Sequence, residues 1–397
     1  MKFPYRLYLM DVSYFSGKME AYLRYKEIPF ERLEPSWGEI SRVLYPNTGL
    51  MKVPVVETAE GLWLQDSTPM IDWFEERHGT FPVLPEDPHQ AFFCRLLEDY
   101  ADEWLWRPAL YYRWAFDNDA RLNSSRFIRE FLYDTTLRGP GQAFFVRMRQ
   151  RRYYVRGDGV TPATRAHVEG TYLGALARLE TILEKQPFLL GDAPCLADFG
   201  FFGSMFRHFG IDPTPSKIMR STAPAVYAWV ARLWNARGSD LPGGAQSGAQ
   251  GRWSDAWPAA GNLPQGWGGL LDDVGATYLP YLLANAVAWK EGRRRFDLTV
   301  QGVTYRSLPT LQYRVWCREQ LQRHLAQVPA AARTAVEQRL QEHGCLQPLQ
   351  AEGVIASHLN EGTSPPVCTP RKVGRLDMLW RSVVGTHWYK PGEPRRG

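Results

Sequence analysis

The first 80 residues switch between strand-like and helix-like spacing at short intervals, and this alternation limits the chain to few folds. "YRLYLM" (residues 5–10) is a short apolar run, and Ser16 to Lys26 follows with helical spacing through Met19, Tyr22, Leu23 and Tyr25. "IPFERLEP" then reads as a second strand, and "SWGEISRVLYPNTG" as a short helix or loop. "KVPVVET" and "LWLQ" are two strands around the turn "AEG". "STPMIDWFEERHG" closes the series as a helix, with Ser67 as N-cap, Pro69 in the first turn and Gly79 as the stop. The order β-α-β-α-β-β-α, two βα units followed by a hairpin and a helix, predicts an α/β sheet.

A proline-rich stretch, "FPVLPEDPHQ", separates this unit from about 150 residues of helical character. "AFFCRLLEDYADEWLWRPALYYRWAF" reads as a long helix that a proline can kink. "PATRAHVEGTYLGALARLETILEKQ", "LADFGFFGSMFRHFG" and "APAVYAWVARLWNAR" follow as further helices. Gly238 to Gly268 is dense in Gly, Pro, Ala and Ser and reads as a linker or long loop. Beyond it lies a second helical module with one hairpin, "RFDLTVQGVTYRS", turning at Gln301-Gly302. The expected organisation is therefore an α/β domain at 1–85, a helical domain at 90–236 and a linker at 237–268. A helical extension at 269–345 and an irregular basic tail at 346–397 complete it.

With 397 residues the chain is too long for one ordinary core. Its formal charge is +5, and residues 371–397 hold seven Lys or Arg against two Asp or Glu. The tail therefore carries the whole excess and the body is neutral, which argues against nucleic acid as the main partner. The basic run Arg147 to Arg156 reads as a solvated helix face. Five scattered cysteines suggest neither a metal cluster nor a secreted disulfide framework. No apolar run approaches the roughly 18 residues that span a bilayer, and the N-terminus lacks the long apolar stretch of a signal peptide. A reducing cytoplasm is the expected location.

Taken together, several motifs carry a resemblance. The β-α-β-α-β-β-α unit has "KVPVV" before its hairpin and "QDS" opening its last helix. The helical part has "FLLGDAPCLADFGFFG", followed by a helix with Pro224, Trp229 and Arg232. Over about residues 4–235 this combination resembles the glutathione S-transferases, whereas residues 269–397 lie outside it. The resemblance implies a thioredoxin-like N-terminal domain, an all-α C-terminal domain and an extra, mostly helical extension. It also implies glutathione as co-substrate, with no metal or bound organic cofactor, and a homodimer that the extension could block.

Site residues follow from the resemblance position by position. Val53-Pro54 reads alone as an ordinary strand start; the resemblance implies a cis bond that turns the Val53 backbone towards the cysteinyl part of glutathione. Asp66 would take the ammonium of the γ-glutamyl group, and Ser67, at a helix start, its carboxylate. In "SYFS", Ser13 corresponds to the residue nearest the glutathione sulfur, with Ser16 as its competitor, the Tyr14 phenol as able to do the same job, and Tyr5 and Tyr8 as remoter options. A serine hydroxyl is too weak a base to take a proton, but it can donate to a thiolate. Lowering a thiol from about 8.5 by two units needs roughly 2.7 kcal/mol, the size of one charge-assisted hydrogen bond plus a helix end.

Three features get plainer readings. Cys195 in "CLADF" removes the hydroxyl from a capping box, leaving Asp198 to work alone. Asp99, Asp102 and Glu103 form a solvated or interdomain helix face. The aromatic "WLWRPALYYRW" is part core and part co-substrate wall. The expected function is glutathione thiolate attack on a small hydrophobic electrophile. The rival is a non-catalytic interaction protein that keeps the fold; a weaker third is an RNA- or membrane-associated protein using Arg147 to Arg156 and the tail.

Overall fold

The computed structural model describes residues 4–135, 139–241, 256–359 and 365–368. The central strand is β1 (Tyr5–Tyr8), where Leu7 is fully buried. α1 (Tyr14–Tyr25) provides the crossover that lets β2 (Phe30–Leu33) pair parallel to β1, because parallel neighbours cannot be joined by a tight turn. A helical run follows as α2 (Trp37–Glu39), a π-turn (Ile40–Leu44) and α3 (Tyr45–Thr48). Ser36 and Glu39 open it with a reciprocal capping box. β3 (Val55–Thr58) and β4 (Trp63–Gln65) form the hairpin, turning through Gly61 at φ 83°. The sheet order is β2-β1-β3-β4, with β3 antiparallel to both of its neighbours.

α4 (Ser67–Arg77) packs back towards α1. Ser67 is its first residue and Asp66 stands at the cap position, so the cap lies one residue earlier than the sequence suggested. Asp66 makes no cap hydrogen bond and holds φ 80°, a conformation that costs energy for any residue but glycine.

The helical domain comprises α5 (Pro88–Glu103), α6 (Trp106–Ala115), α7 (Asp117–Phe131), α8 (Pro140–Gln150), α9 (Arg165–Leu183), α10 (Leu196–Ser204), α11 (Pro213–Thr222) and α12 (Pro224–Asn235). The expected long helix is broken between α5 and α6. Pro108 has no N–H to offer the Trp104 carbonyl four residues back, and the chain leaves helical pairing there. α5 and α10 cross so closely that a Cβ on Gly200 would lie 2.7 Å from the Glu98 Cα. Asp198 does not work alone as the sequence suggested: the Cys195 thiol still takes part in the box and donates to it at 3.3 Å, and Asp198 also accepts the N–H groups of Cys195 and Leu189 and the Trp229 indole, each at 2.9 Å.

Of the glycine-rich stretch, the described residues 256–268 are docked: Gln90 donates to the carbonyls of Pro258 and Asn262, and the Trp257 indole to Ala193. Residues 242–255 lie outside the described residues. The extension comprises α13 (Trp267–Asp273), α14 (Leu279–Lys290), β5 (Arg295–Val300), β6 (Val303–Pro309), α15 (Gln312–Gln327), α16 (Ala330–Glu342) and α17 (Leu346–Gln350). Gln301 and Gly302 both have positive φ, the backbone that the tight hairpin requires.

The extension shares one hydrophobic core with the helical domain. The acids of α5 face this interior rather than water. Tyr278 donates to Asp99 at 2.6 Å, Tyr100 donates to Asp273 at 2.5 Å, and Arg314 pairs with Glu103. From the tail, residues 365–368 lie along the outer edge of β4: Pro366 accepts from the Gln65 N–H at 3.0 Å, and the Cys368 N–H donates to Trp63 at 2.8 Å. This pairing satisfies an edge that would otherwise stay open. The rest of the basic tail beyond 368 is outside the described residues. Among those described, no helix is long and apolar enough to cross a membrane.

Candidate functional site

A cavity of about 680 Å³ opens where the sheet domain, the helical domain and the extension meet. Its size lies within the roughly 300–1,000 Å³ usual for small-molecule sites. Ser13, Val53, Pro54, Asp66 and Ser67 all line it, and Ser16 does not.

The hinge between β1 and α1 presents Ser13. Ser13 is the N-cap of α1, and its Oγ accepts the Ser16 N–H at 3.3 Å, leaving its own proton to donate into the cavity. Ser16 is fully buried and accepts the Met10 N–H at 3.3 Å. Tyr14 donates to the Asp102 carbonyl at 2.5 Å, Tyr8 donates to Glu57, and Tyr5 bonds His78.

The helical domain clamps this hinge through residues far from it along the chain. Arg113, buried on α6, donates to the Val12 carbonyl at 2.5 Å, to the Arg207 carbonyl and to both oxygens of Asp212. Its Nη1 also lies 2.7 Å from His208 Nε2. Burial and the Arg113 charge hold His208 well below its usual pKa, so the ring is neutral and accepts. Glu130 takes the Val12 N–H at 3.1 Å, and Arg207 donates to the Met10 carbonyl at 2.8 Å while pairing with Glu20. Arg207 passes over Gly17, where a Cβ would lie 2.8 Å from its Cδ.

On the opposite wall the Val53–Pro54 bond is cis. No hydrogen bond among the described residues engages the Val53 backbone, so its N–H and C=O are available to an extended ligand. Gln65 steadies this loop by donating to the Lys52 carbonyl at 3.0 Å. The Lys52 side chain projects into the cavity with no carboxylate at ion-pair distance among the described residues.

Asp66 and Ser67 sit at the start of α4, where free backbone N–H groups favour an anion. Burial raises the Asp66 carboxyl to about 6, opposed by a hydrogen bond from Tyr313 and by the charges of Lys18 and Lys52. Behind it, Lys18 is buried between Glu98 and Asp102 and also reaches Thr68, tying α1, α4 and α5 together. Burial opposes the Lys18 charge, but Asp102 and Glu98 prevail and keep it protonated.

The remaining wall is aromatic. Phe15 stacks on Trp106, Trp106 meets Tyr154 edge-on, and Phe127, Phe131 and Trp37 form a second cluster. Arg149 lines this end with its guanidinium over Tyr153 and Tyr154. Pro309, Leu311, Tyr313 and Arg314 of the extension, with Pro366 and Cys368, form the far side. Lys52, Tyr313 and Arg314 were missed at the sequence level. Lys52 stands beside Val53 but nothing in its spacing marks it, and the other two lie where the resemblance ends.

Comparison with known proteins agrees with this arrangement. Residues 7–89 match the N-terminal domain of glutathione S-transferases, and residues 142–236 match their C-terminal domain. Glutathione S-transferase U2 of Arabidopsis thaliana is 30% identical over 93 residues, which cover 23% of this chain and 41% of that relative's length. The match therefore spans about two fifths of that protein. Among solved structures, the beta-etherase LigF from Sphingobium sp. strain SYK-6 is 21% identical with a TM-score of 0.42, covering 58% of this chain and 94% of its own. A glutathione S-transferase from Methylobacterium radiotolerans, solved with glutathione sulfonate, is 22% identical with a TM-score of 0.37, covering 66% and 98%. The two matched segments are similar to the two domains of glutathione S-transferases and stand in the order of the sheet domain and the helical domain.

Proposed function

We propose that the protein binds glutathione in this cavity and stabilises its thiolate for attack on a small hydrophobic electrophile. The observation that carries the reading is the convergence of four features on one cavity: a helix-capping hydroxyl at Ser13, an unengaged backbone at Val53, a helix start at Ser67 and an aromatic wall. Glutathione has a matching group for each of the first three. Its γ-glutamyl carboxylate suits Ser67 and the α4 N-terminus, and its ammonium suits Asp66. The cysteinyl amide suits Val53, and the glycyl carboxylate suits the unpaired Lys52.

In the proposed step the thiol proton passes to solvent and Ser13 donates to the resulting thiolate, aided by the positive end of α1. The sulfur then forms a bond to the electrophilic carbon, and the leaving group departs with its bonding pair. Glutathione itself is the co-substrate, and the enzyme's contribution is charge stabilisation and orientation.

Ser13→Ala tests this assignment. The thiolate absorbance titration of bound glutathione should move up by roughly one pH unit, the value of one charge-assisted hydrogen bond. An unmoved titration would remove Ser13 from the step. The second reading, a non-catalytic protein that keeps the fold, draws on the extension lining the same cavity. It predicts glutathione binding in the wild type with the thiol at its solution pKa.

A further inference from the structure

The extension lies outside both family segments, yet it reaches the centre of the candidate site. Tyr313, in the first turn of α15, donates from its hydroxyl to Asp66 Oδ1 at 3.2 Å. Asp66 receives no cap hydrogen bond and sits at a positive φ, so its own helix does not fix its carboxylate. Next to Tyr313, Arg314 is anchored by its ion pair with Glu103 on α5, which sets the register of α15 against the cavity. Tyr313 also stacks on Trp316, one turn along the same helix, at 5.4 Å.

We infer that Tyr313 is a positioning residue for the γ-glutamyl subsite: it holds the Asp66 carboxylate towards the ligand's ammonium. This rests on the glutathione reading above and extends the site into a part of the chain that neither matched segment covers. The charged or titratable groups that bear on Asp66 are Tyr313 and the Cys317 thiol from α15, Lys18 from α1, Glu98 from α5 and Lys52 from the loop before β3. Tyr313, Lys18 and Lys52 favour the ionised carboxylate, while burial and Glu98 oppose it. Removing the phenol hydroxyl takes away a hydrogen bond that only the carboxylate's acceptor oxygen receives. The carboxyl then keeps its proton to higher pH, and a protonated Asp66 has no charge to offer an ammonium.

The test uses the full chain and two probes, S-hexylglutathione and S-hexyl-cysteinylglycine, the latter lacking only the γ-glutamyl group. Their shared alkyl group keeps both affinities measurable by calorimetry. Tyr313→Phe should weaken the glutathione derivative roughly tenfold at pH 6.5, as expected for a hydrogen bond to a charged group, and leave the dipeptide derivative unchanged. The pH below which the glutathione derivative loses affinity should also rise. In an Asp66→Asn background, Tyr313→Phe should have no further effect. Equal weakening of both probes would assign Tyr313 a merely structural role, and tighter binding of the glutathione derivative would make it a plug; either overturns the inference. A wild type that binds neither probe would instead overturn the glutathione reading itself.

Discussion

Arg113→Met is expected to cost about 3–5 kcal/mol of unfolding free energy, the usual consequence of leaving one member of a buried ion pair alone. The guanidinium is buried with Asp212, which is fully inaccessible, and also supplies the Val12 and Arg207 carbonyls. Methionine fills similar space and offers none of these donors, so Asp212 would keep only Asn123, at 2.9 Å. Urea unfolding of the two proteins, compared at constant slope, measures the loss. Because Arg113 holds the residue before Ser13, surviving folded Arg113→Met should also bind glutathione more weakly. A loss below about 1 kcal/mol would show that the clamp is not a structural centre.

Lys18→Met should be comparably damaging, by about 3–5 kcal/mol near neutral pH. It leaves Glu98 and Asp102 buried together without their shared cation. Its signature is the pH dependence. Burial already raises the Asp102 carboxyl well above its ordinary value, with Lys18 as the main opposing influence. Without the lysine that carboxyl rises further, and a carboxyl raised in the folded state binds more protons there than in the unfolded chain. Stability of the variant therefore increases as pH falls through the raised value, and the deficit against wild type shrinks on acidification. A deficit independent of pH between 5 and 8 would contradict the assigned pairing.

Much of the sheet domain was legible because its signals are local. Strand alternation, the Gly61 turn and the helix spacing of α1 and α4 each occupy at most 12 residues, and the Gln301-Gly302 turn is readable from two. The candidate site residues were singled out by the resemblance and not by local spacing: Ser13, Val53-Pro54 and Asp66-Ser67 stand at strand ends and helix starts that read alone as ordinary caps and turns, and the structure brings them to one cavity. What could not be read depends on partners distant in sequence. Arg113 and Val12 are 101 residues apart, Arg207 and Met10 are 197 apart, and Tyr313 and Asp66 are 247 apart.

The acids of α5 show the same limit. Their spacing left a solvated and an interdomain face equally open, and the arrival of Lys18, Tyr278 and Arg314 from other elements makes it the interdomain one. Cys195 is the converse case: the missing hydroxyl was visible, but the extra donors from Leu189 and Trp229 that keep Asp198 fully engaged were not. Composition left the glycine-rich stretch as a linker or a long loop, and what ties down its described part is distant in sequence: three carbonyls of residues 258–262 accept from the single side chain of Gln90.

The central claim is that one cavity binds glutathione through Ser67 and its neighbours, and calorimetric titration of glutathione into wild type and Ser67→Ala tests it most directly. The account predicts saturable binding to the wild type and roughly tenfold weaker binding to the variant, the loss of one hydrogen bond to a charged carboxylate. Absence of heat and of any thermal shift in the wild type at millimolar glutathione, or equal affinity for both proteins, would contradict it.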